Sequence, residues 1–344
     1  MELLTNAPLP RAVPDKYVFP PEKRPGNNLQ LLDPSIALPV VDLRGGRDLT
    51  DADRRRVVRD IIDAGKEFGF FQVVNHGVED GAVRAFRDAA AEFFALRPEE
   101  KLPYYSDDQS RPFRVASSTT YDKSETRYWR DYLKLQCFPV DKFVHQWPPK
   151  PDQFRDCLGE YIVQVQHLAA TLLELIAEGL GLDAGFFRGE LSGGDTQMNV
   201  NYYPPCPDPS LTLGLLPHCD RHLLTVLSQG DVSGLQAKYG GGWIAVQPIP
   251  GAFVINFGHQ MEIATNGLLR SVEHRAVTNA AKARMSVATL IMPATECLIA
   301  PAPELVGEED NNPAKYRAFR FSEFIEAYDA AAASRDSVLD YFKI

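Results

Sequence analysis

From about residue 195 the chain changes texture, and that change limits its possible folds more than any other feature. Eight short β-rich runs follow one another: TQMNVNYY, LGLLPHC, LLTVLSQ, GLQAKY, WIAVQPI, AFVINFG, EHRAVTN and RMSVATLIM, with Gly and Pro between them. Short strands at a spacing of roughly 8–12 residues predict a barrel or sandwich. The preceding half reads as mostly helical. Val57, Val58, Ile61, Ile62 and Phe68 recur at helical spacing, with Thr50 as N-cap, Asp51 and Asp53 in the first turn and Gly69 as the stop. A second helix carries Val83, Phe86, Ala90, Phe93 and Phe94 on one face, and a long one spans about 152–181. ALPVVDL (37–43) and FFQVVNHGV (70–78) read as strands, 1–36 as a proline-rich extended arm, and a last helix starts at Ser322. Helices followed by strands predict an α+β fold, with helices packed on one face of a β-barrel core. The polar, aperiodic stretch 103–125 is long enough to be a lid or a binding loop.

Within the strands, one short segment concentrates ligand-type residues: His218-Cys219-Asp220-Arg221-His222. Alternate residues of a strand share a face, so His218 and Asp220 pair while Cys219 points away. His222 has the same parity but is expected to turn the chain at the barrel mouth. A lone HxD is common by chance, and two ligands hold a catalytic metal poorly. His274, in EHRAVTN, supplies a third. Two imidazoles and one carboxylate with open positions suit a non-haem Fe(II) centre. Ten residues on, Arg284 and Ser286 again share a strand face. An arginine on an otherwise apolar strand is costly to bury unpaired, and its fork fits a carboxylate. Beside a metal triad, that carboxylate reads as an acidic cosubstrate rather than a protein side chain.

The totals exclude several alternatives. A net charge of −10 argues against nucleic acid or an anionic membrane surface as the main partner. Five widely spaced cysteines without a CxxC fit a reducing compartment. No apolar run approaches the ~20 residues of a membrane span, and no signal peptide is evident, so a cytoplasmic protein is expected.

HxD, 53 residues, H, and RxS ten residues later, with NYYPPCPDPS upstream, resemble the plant 2-oxoglutarate- and Fe(II)-dependent dioxygenases. LPVVDL, GFFQVVNHGV, FFALRPEEK, QPIPGAFVINFG and TNGLLRSVEHRAVTN extend the resemblance over nearly the whole chain. It is nearest the branch of hyoscyamine 6-hydroxylase and the mugineic acid dioxygenases, with flavonoid enzymes expected to be more distant. The resemblance implies a single domain with a distorted double-stranded β-helix (jelly-roll) core over about 195–300. An N-terminal helical part with a lid loop (1–190) and a C-terminal helical tail (301–344) would flank it. It implies His218, Asp220 and His274 as Fe(II) ligands, and Arg284, Ser286 and Tyr203 on the distal carboxylate of 2-oxoglutarate. Asn201 would help hold the cosubstrate, O2 would be consumed, and ascorbate would be the reductant. The expected activity is hydroxylation of a small molecule by a monomer, with release of succinate and CO2.

His259 stands where related chains often carry an aspartate; it reads as a solvated turn residue or as a residue of the barrel mouth. The loop centre, Val115–Thr120, has no carboxylate, which disfavours an amine alkaloid. Phe113, Tyr121 and Tyr128 offer aromatic surface, and Arg114 and Arg127 could meet an acid, although each is more often structural or solvated. The expected substrate is small and aromatic or planar: a hormone, an indole such as melatonin, a phenolic such as salicylate, or a flavonoid. A same-fold oxidase that does not use 2-oxoglutarate, a desaturase or epoxidase acting on an alkaloid or amino-acid-derived substrate, and a non-catalytic small-molecule receptor are the rival readings.

Overall fold

The computed structural model describes residues 2–25, 31–33, 35–44, 50–118, 126–307, 312–334 and 337–344. Its strands are β1 (Val40–Asp42), β2 (Phe70–Val74), β3 (Arg114–Ser117), β4 (Asp131–Phe138), β5 (Thr196–Tyr203), β6 (Leu213–His218), β7 (Leu224–Ser228), β8 (Leu235–Tyr239), β9 (Gly242–Ala245), β10 (Phe253–Phe257), β11 (His274–Val277), β12 (Arg284–Ile291), β13 (Leu298–Ile299) and β14 (Phe319–Arg320). The helices are α1 (Asp51–Glu67), α2 (Asp80–Ala95), α3 (Pro98–Lys101), α4 (Val140–Phe143), α5 (Phe154–Gly179), α6 (His259–Ala264) and α7 (Phe321–Ser334). All eight runs read from the sequence are strands, β5 to β12.

Twelve of the strands form two facing sheets, in the orders β1-β2-β10-β7-β12-β5-β4-β3 and β6-β11-β8-β9, and β13 pairs with β14 separately. The fold is an α+β jelly roll. Period-two alternation divides the large sheet between two tasks. Leu133 and Leu135 of β4, Met198 and Val200 of β5, Val226, Ile255 and Val287 belong to the main core, shared with Val57 and Ile61 of α1, Phe86 and Phe93 of α2, and Leu158 and Leu172 of α5. The opposite face of the same strands presents Asn199, Asn201, Thr225, Asn256 and Ser286 to the space between the sheets. One helical layer thus seals the outer face of the sheet, and the inner face is free to carry polar chemistry.

The segregation of helices from strands is less strict than the sequence predicted. β1 to β4 come from the first 140 residues and make up half of the large sheet. β4 was missed, although DYLKLQCF alternates cleanly, and part of the expected 103–125 loop is β3, paired with β4. Residues 119–125, with Tyr121, lie outside the described residues. The proline-rich arm is tied down where it begins: Asp131, fully buried on β4, accepts the backbone N–H groups of Leu4 and Thr5 at 2.9 and 2.8 Å.

Gly69 ends α1 with φ +65°, and a Cβ there would lie 2.4 Å from the Arg270 carbonyl oxygen. Backbone conformation and space both demand glycine. Gly69→Ala is expected to lower stability by about 1–3 kcal/mol. The check is a lower urea midpoint at an unchanged transition slope.

Candidate active site

Sheet register brings two histidines together. His274 of β11 lies directly opposite His218, the last residue of β6, and their ring centroids are 4.2 Å apart. Each ring is turned by a backbone carbonyl: His218 Nδ1 is 2.8 Å from Leu216 O, and His274 Nδ1 is 3.1 Å from Val272 O. A carbonyl only accepts, so Nδ1 carries the proton and Nε2 keeps its lone pair. Both Nε2 atoms face Asp220 Oδ1, at 3.8 and 3.9 Å. The ligand atoms of the three side chains lie within 4.8 Å of one another, and among the described residues no other His, Cys, Asp or Glu joins them. Cys219 turns away, its Sγ 3.8 Å from Ser271 O, and burial pushes its thiol up to about 12.

The structure brings His218 and Asp220 together as period two expects, but the reason holds only in part, because β6 ends at His218 and Asp220 lies in the loop beyond it. The loop is aimed by its surroundings. Five consecutive carbonyls, Cys219 to Leu223, accept hydrogen bonds from α6, its N-cap or α7: from Tyr328 Oη (3.1 Å), His259 N (2.8 Å), Gln260 Nε2 (2.9 Å), Gln260 N (3.3 Å) and Gly258 N (3.1 Å). Gly258 is required for this approach, since a Cβ would lie 1.8 Å from the His222 oxygen.

The carboxylate is aimed as well. Asp220 Oδ2 accepts from Thr225 Oγ1 at 2.5 Å and from Asn256 Nδ2 at 2.7 Å, which leaves Oδ1 for the histidines. The Thr225 hydroxyl gives its one proton to Asp220, so His222 Nε2, 2.5 Å away, donates to it. His222 is therefore neither a ligand nor a residue of the mouth; it is 2 % exposed and supports Asp220 through Thr225. His259 also departs from expectation: it is buried and packs on Phe324 and Tyr328 of α7, where a solvated turn was read. Burial, followed by repulsion from His274, pulls His218 down to about 4, which keeps the imidazole neutral. Burial pushes Asp220 upward, but His222 and His274 outweigh it and hold the carboxyl well below its usual range. Two imidazoles and one carboxylate converging on a point, with no fourth donor among the described residues, fit a divalent metal that keeps open positions.

Beyond the triad, Arg284 of β12 lies in register with Tyr203 of β5, and Ser286 with Asn201. All four line one cavity with His218, Asp220 and His274. The guanidinium of Arg284 lies over the Tyr203 ring, 5.2 Å from its centroid, and is buried. Its Nε donates to Val232 O at 3.1 Å and Nη1 to Ser286 Oγ at 3.5 Å. Among the described residues no carboxylate pairs with it. An arginine buried this way costs several kcal/mol unless an anion joins it, and a dicarboxylate cosubstrate fits the cradle. Asn201 uses Oδ1 to accept from Arg130 Nη1 at 3.0 Å.

Other candidates serve the scaffold. Arg127 pairs with Glu2 of the arm, Tyr128 stacks on Phe19, Phe113 packs edge-on to Tyr104, and His76 bonds Gly251 O at the far end of β2. Sequence reasoning missed Thr225, Asn256 and Arg130. The first two have the inward parity of their strands, but nothing local marks them as partners of Asp220.

Comparison with known proteins agrees with this geometry. Residues 194–293 match the 2OG-Fe(II) oxygenase superfamily model, and residues 38–150 match the N-terminal model of non-haem dioxygenases in morphine synthesis. The chain is 45% identical to 2'-deoxymugineic-acid 2'-dioxygenase of Hordeum vulgare, covering 95% of this chain and 93% of the relative. It is 41% identical to flavanone 3-dioxygenase 2 of Oryza sativa subsp. japonica (96% and 94% covered) and 36% identical to hyoscyamine 6-dioxygenase of Hyoscyamus niger (97% and 96%). The mugineic acid branch is borne out, but this flavonoid enzyme stands nearer than the hyoscyamine enzyme, against expectation. The crystal structure of JOX2 in complex with 2OG, Fe and JA superposes with a TM-score of 0.82 at 31% identity, covering 97% and 96% of the two chains.

Thr225→Val keeps the volume and removes the hydroxyl that positions Asp220. It is expected to weaken divalent metal binding about 10–100-fold, measured by titration calorimetry with Mn(II), while Cys219→Ser leaves metal binding unchanged. Equal metal affinity in Thr225→Val and the native protein would sink the role given to Thr225.

Proposed function

The chain belongs to the 2OG-Fe(II) oxygenase superfamily, and from that premise we propose that it hydroxylates a small metabolite, with His218, Asp220 and His274 as the Fe(II) ligands and Arg284, Ser286 and Tyr203 as the seat of 2-oxoglutarate. The observation that carries the reading is the buried Arg284, with no carboxylate paired to it among the described residues, in the same cavity as a converged His-Asp-His set. Open metal positions argue against a receptor, and the pair of Arg284 and Ser286 beside Tyr203 argues for 2-oxoglutarate over a same-fold oxidase, which would need another carboxylate to fill the same cradle.

When bound, Fe(II) and 2-oxoglutarate supply the oxidation: O2 gives one oxygen atom to the substrate C–H and one to succinate, as 2-oxoglutarate loses CO2. The chain supplies placement. Arg284 and Ser286 bind the distal carboxylate, with Tyr203 against it, and Asn201 steadies the cosubstrate near the triad. Phe70, Leu215, Leu227, Leu235 and Leu290 give the cavity apolar walls that exclude water and shield the reacting centre from side reactions. An aromatic substrate finds less support than the sequence suggested, because Phe113 packs on Tyr104 and Tyr128 on Phe19. The site is complete within one chain, which supports a monomer. The free state of all five cysteines supports a cytoplasmic setting, and ascorbate as reductant belongs to the same reading. Among the described residues no helix is long and apolar enough to cross a membrane.

Arg284→Gln is expected to raise the KM for 2-oxoglutarate at least ~30-fold, since deleting one partner of a buried charge pair costs about 2–5 kcal/mol. Succinate release is the readout. Substrate oxidation that consumes no 2-oxoglutarate would exclude the reading in favour of the oxidase.

A further inference from the structure

Arg130 lies just before β4 and shares its inward parity with Tyr132, while Asp131 between them turns outward to the arm. Its guanidinium is buried, lines the cavity with His218 and Asp220, and lies over the Tyr132 ring, 4.7 Å from the centroid. Its Nη1 donates to Asn201 Oδ1 at 3.0 Å. Asn201 is nearly fully buried on β5, in register with Tyr132 on one side and Ser286 on the other. Asn201 Nδ2 donates to the Asn199 carbonyl at 3.4 Å. Arg130 makes a further interaction besides these, so its place does not depend on Asn201 alone.

These contacts leave the Asn201 amide one orientation. An asparagine amide has an accepting end and a donating end of nearly the same shape, and its neighbours decide which end they meet. A guanidinium only donates, so Oδ1 faces Arg130. A backbone carbonyl only accepts, so Nδ2 faces Asn199. One of the two N–H groups on Nδ2 goes to that carbonyl, and the other is left for the cavity that Asn201 lines. Of the two constraints the guanidinium is the stronger, because its bond is shorter and a hydrogen bond from an ionised donor exceeds a neutral one. The carboxylate and oxo oxygens of 2-oxoglutarate only accept. The donating end of Asn201 therefore suits the cosubstrate, and the accepting end opposes it.

We propose that Arg130 is a positioning residue for the cosubstrate: it acts through Asn201, holding the amide with an N–H turned to 2-oxoglutarate, rather than by binding the cosubstrate itself. This rests on the reading that seats 2-oxoglutarate beside Asn201, and it names the residue that makes this part of the seat a donor. The Ser286 hydroxyl in the same cavity rotates to suit a ligand, whereas an amide has to be turned as a whole. Without Arg130, the amide can present its carbonyl oxygen to the cosubstrate, and two acceptors facing each other in a buried site cost affinity.

The test is a double-mutant cycle on the full-length protein, loaded with Fe(II) and titrated anaerobically with 2-oxoglutarate in a calorimeter, so that affinity is read without turnover. Arg130→Met is expected to weaken 2-oxoglutarate binding about ten-fold or more, and Asn201→Ala by a similar factor, as for the loss of a hydrogen bond to a charged group. In the double variant the weakening should exceed that of Asn201→Ala alone by no more than about two-fold, because residues that act through one another are not additive. A direct contact of Arg130 with the cosubstrate, or general support of the fold, would instead make the two losses multiply. If Arg130→Met does not fold, Arg130→Gln takes its place in the same cycle: its side chain stays polar, but it donates or accepts and no longer dictates the orientation of Asn201. Native affinity in the Arg130 variant, native affinity in Asn201→Ala, or losses that multiply in the double variant each overturn the proposal. Absence of 2-oxoglutarate binding in the native protein is a different result: it refutes the cosubstrate reading itself, and the role of Arg130 falls with it.

Discussion

The site depends on how one loop is held. Five successive carbonyls from Cys219 to Leu223 accept hydrogen bonds from Gly258, His259, Gln260 and Tyr328. Backbone carbonyls in a buried loop must find donors, and a loop that finds all of them in fixed elements has one conformation. Asp220 sits in this loop, outside any strand, so its aim comes from α6 and α7. Thr225 and Asn256 then fix its side chain by saturating Oδ2. The histidines need no such device, because strand register already sets them face to face.

The large sheet makes the second contribution by using its two faces for opposite purposes. Outward residues join α1, α2 and α5 in the main core, and the same strands carry polar side chains inward at alternate positions. A buried arginine such as Arg284 is tolerable where an acidic ligand completes it, and the apolar layer behind the sheet supplies the stability that such a site lacks. Gln72, Asn201, Thr225 and Asn256 are all nearly fully buried on that inner face. Each costs free energy unless bonded, which is the ordinary signature of a cavity built for chemistry.

Much of this was legible. Eight strand runs, the three main helices and the pairs His218/Asp220 and Arg284/Ser286 follow from periodicity, because helices and strands repeat apolar residues at different intervals. β4 shows the same alternation but went unread, since Lys134, Gln136 and Tyr132 made it look polar; its polar face is turned into the barrel. His222 and His259 were misplaced for a common reason. A histidine beside a turn looks solvated in sequence, and only the packing of α7 on α6 and the metal loop buries His259.

By itself the sequence determined which residue types recur at which interval, and therefore the main strands, the core face of each main helix and the parity of the candidate residues that lie on strands. Periodicity is local, and these properties depend on neighbours two to four residues away. The tertiary structure alone decided what lies opposite what: His274 against His218, Arg284 against Tyr203, Thr225 and Asn256 on one carboxylate oxygen, and Arg114 over the Tyr132 ring. Those pairings join segments up to tens of residues apart through strand register and loop anchoring, and no local interval in the chain encodes them.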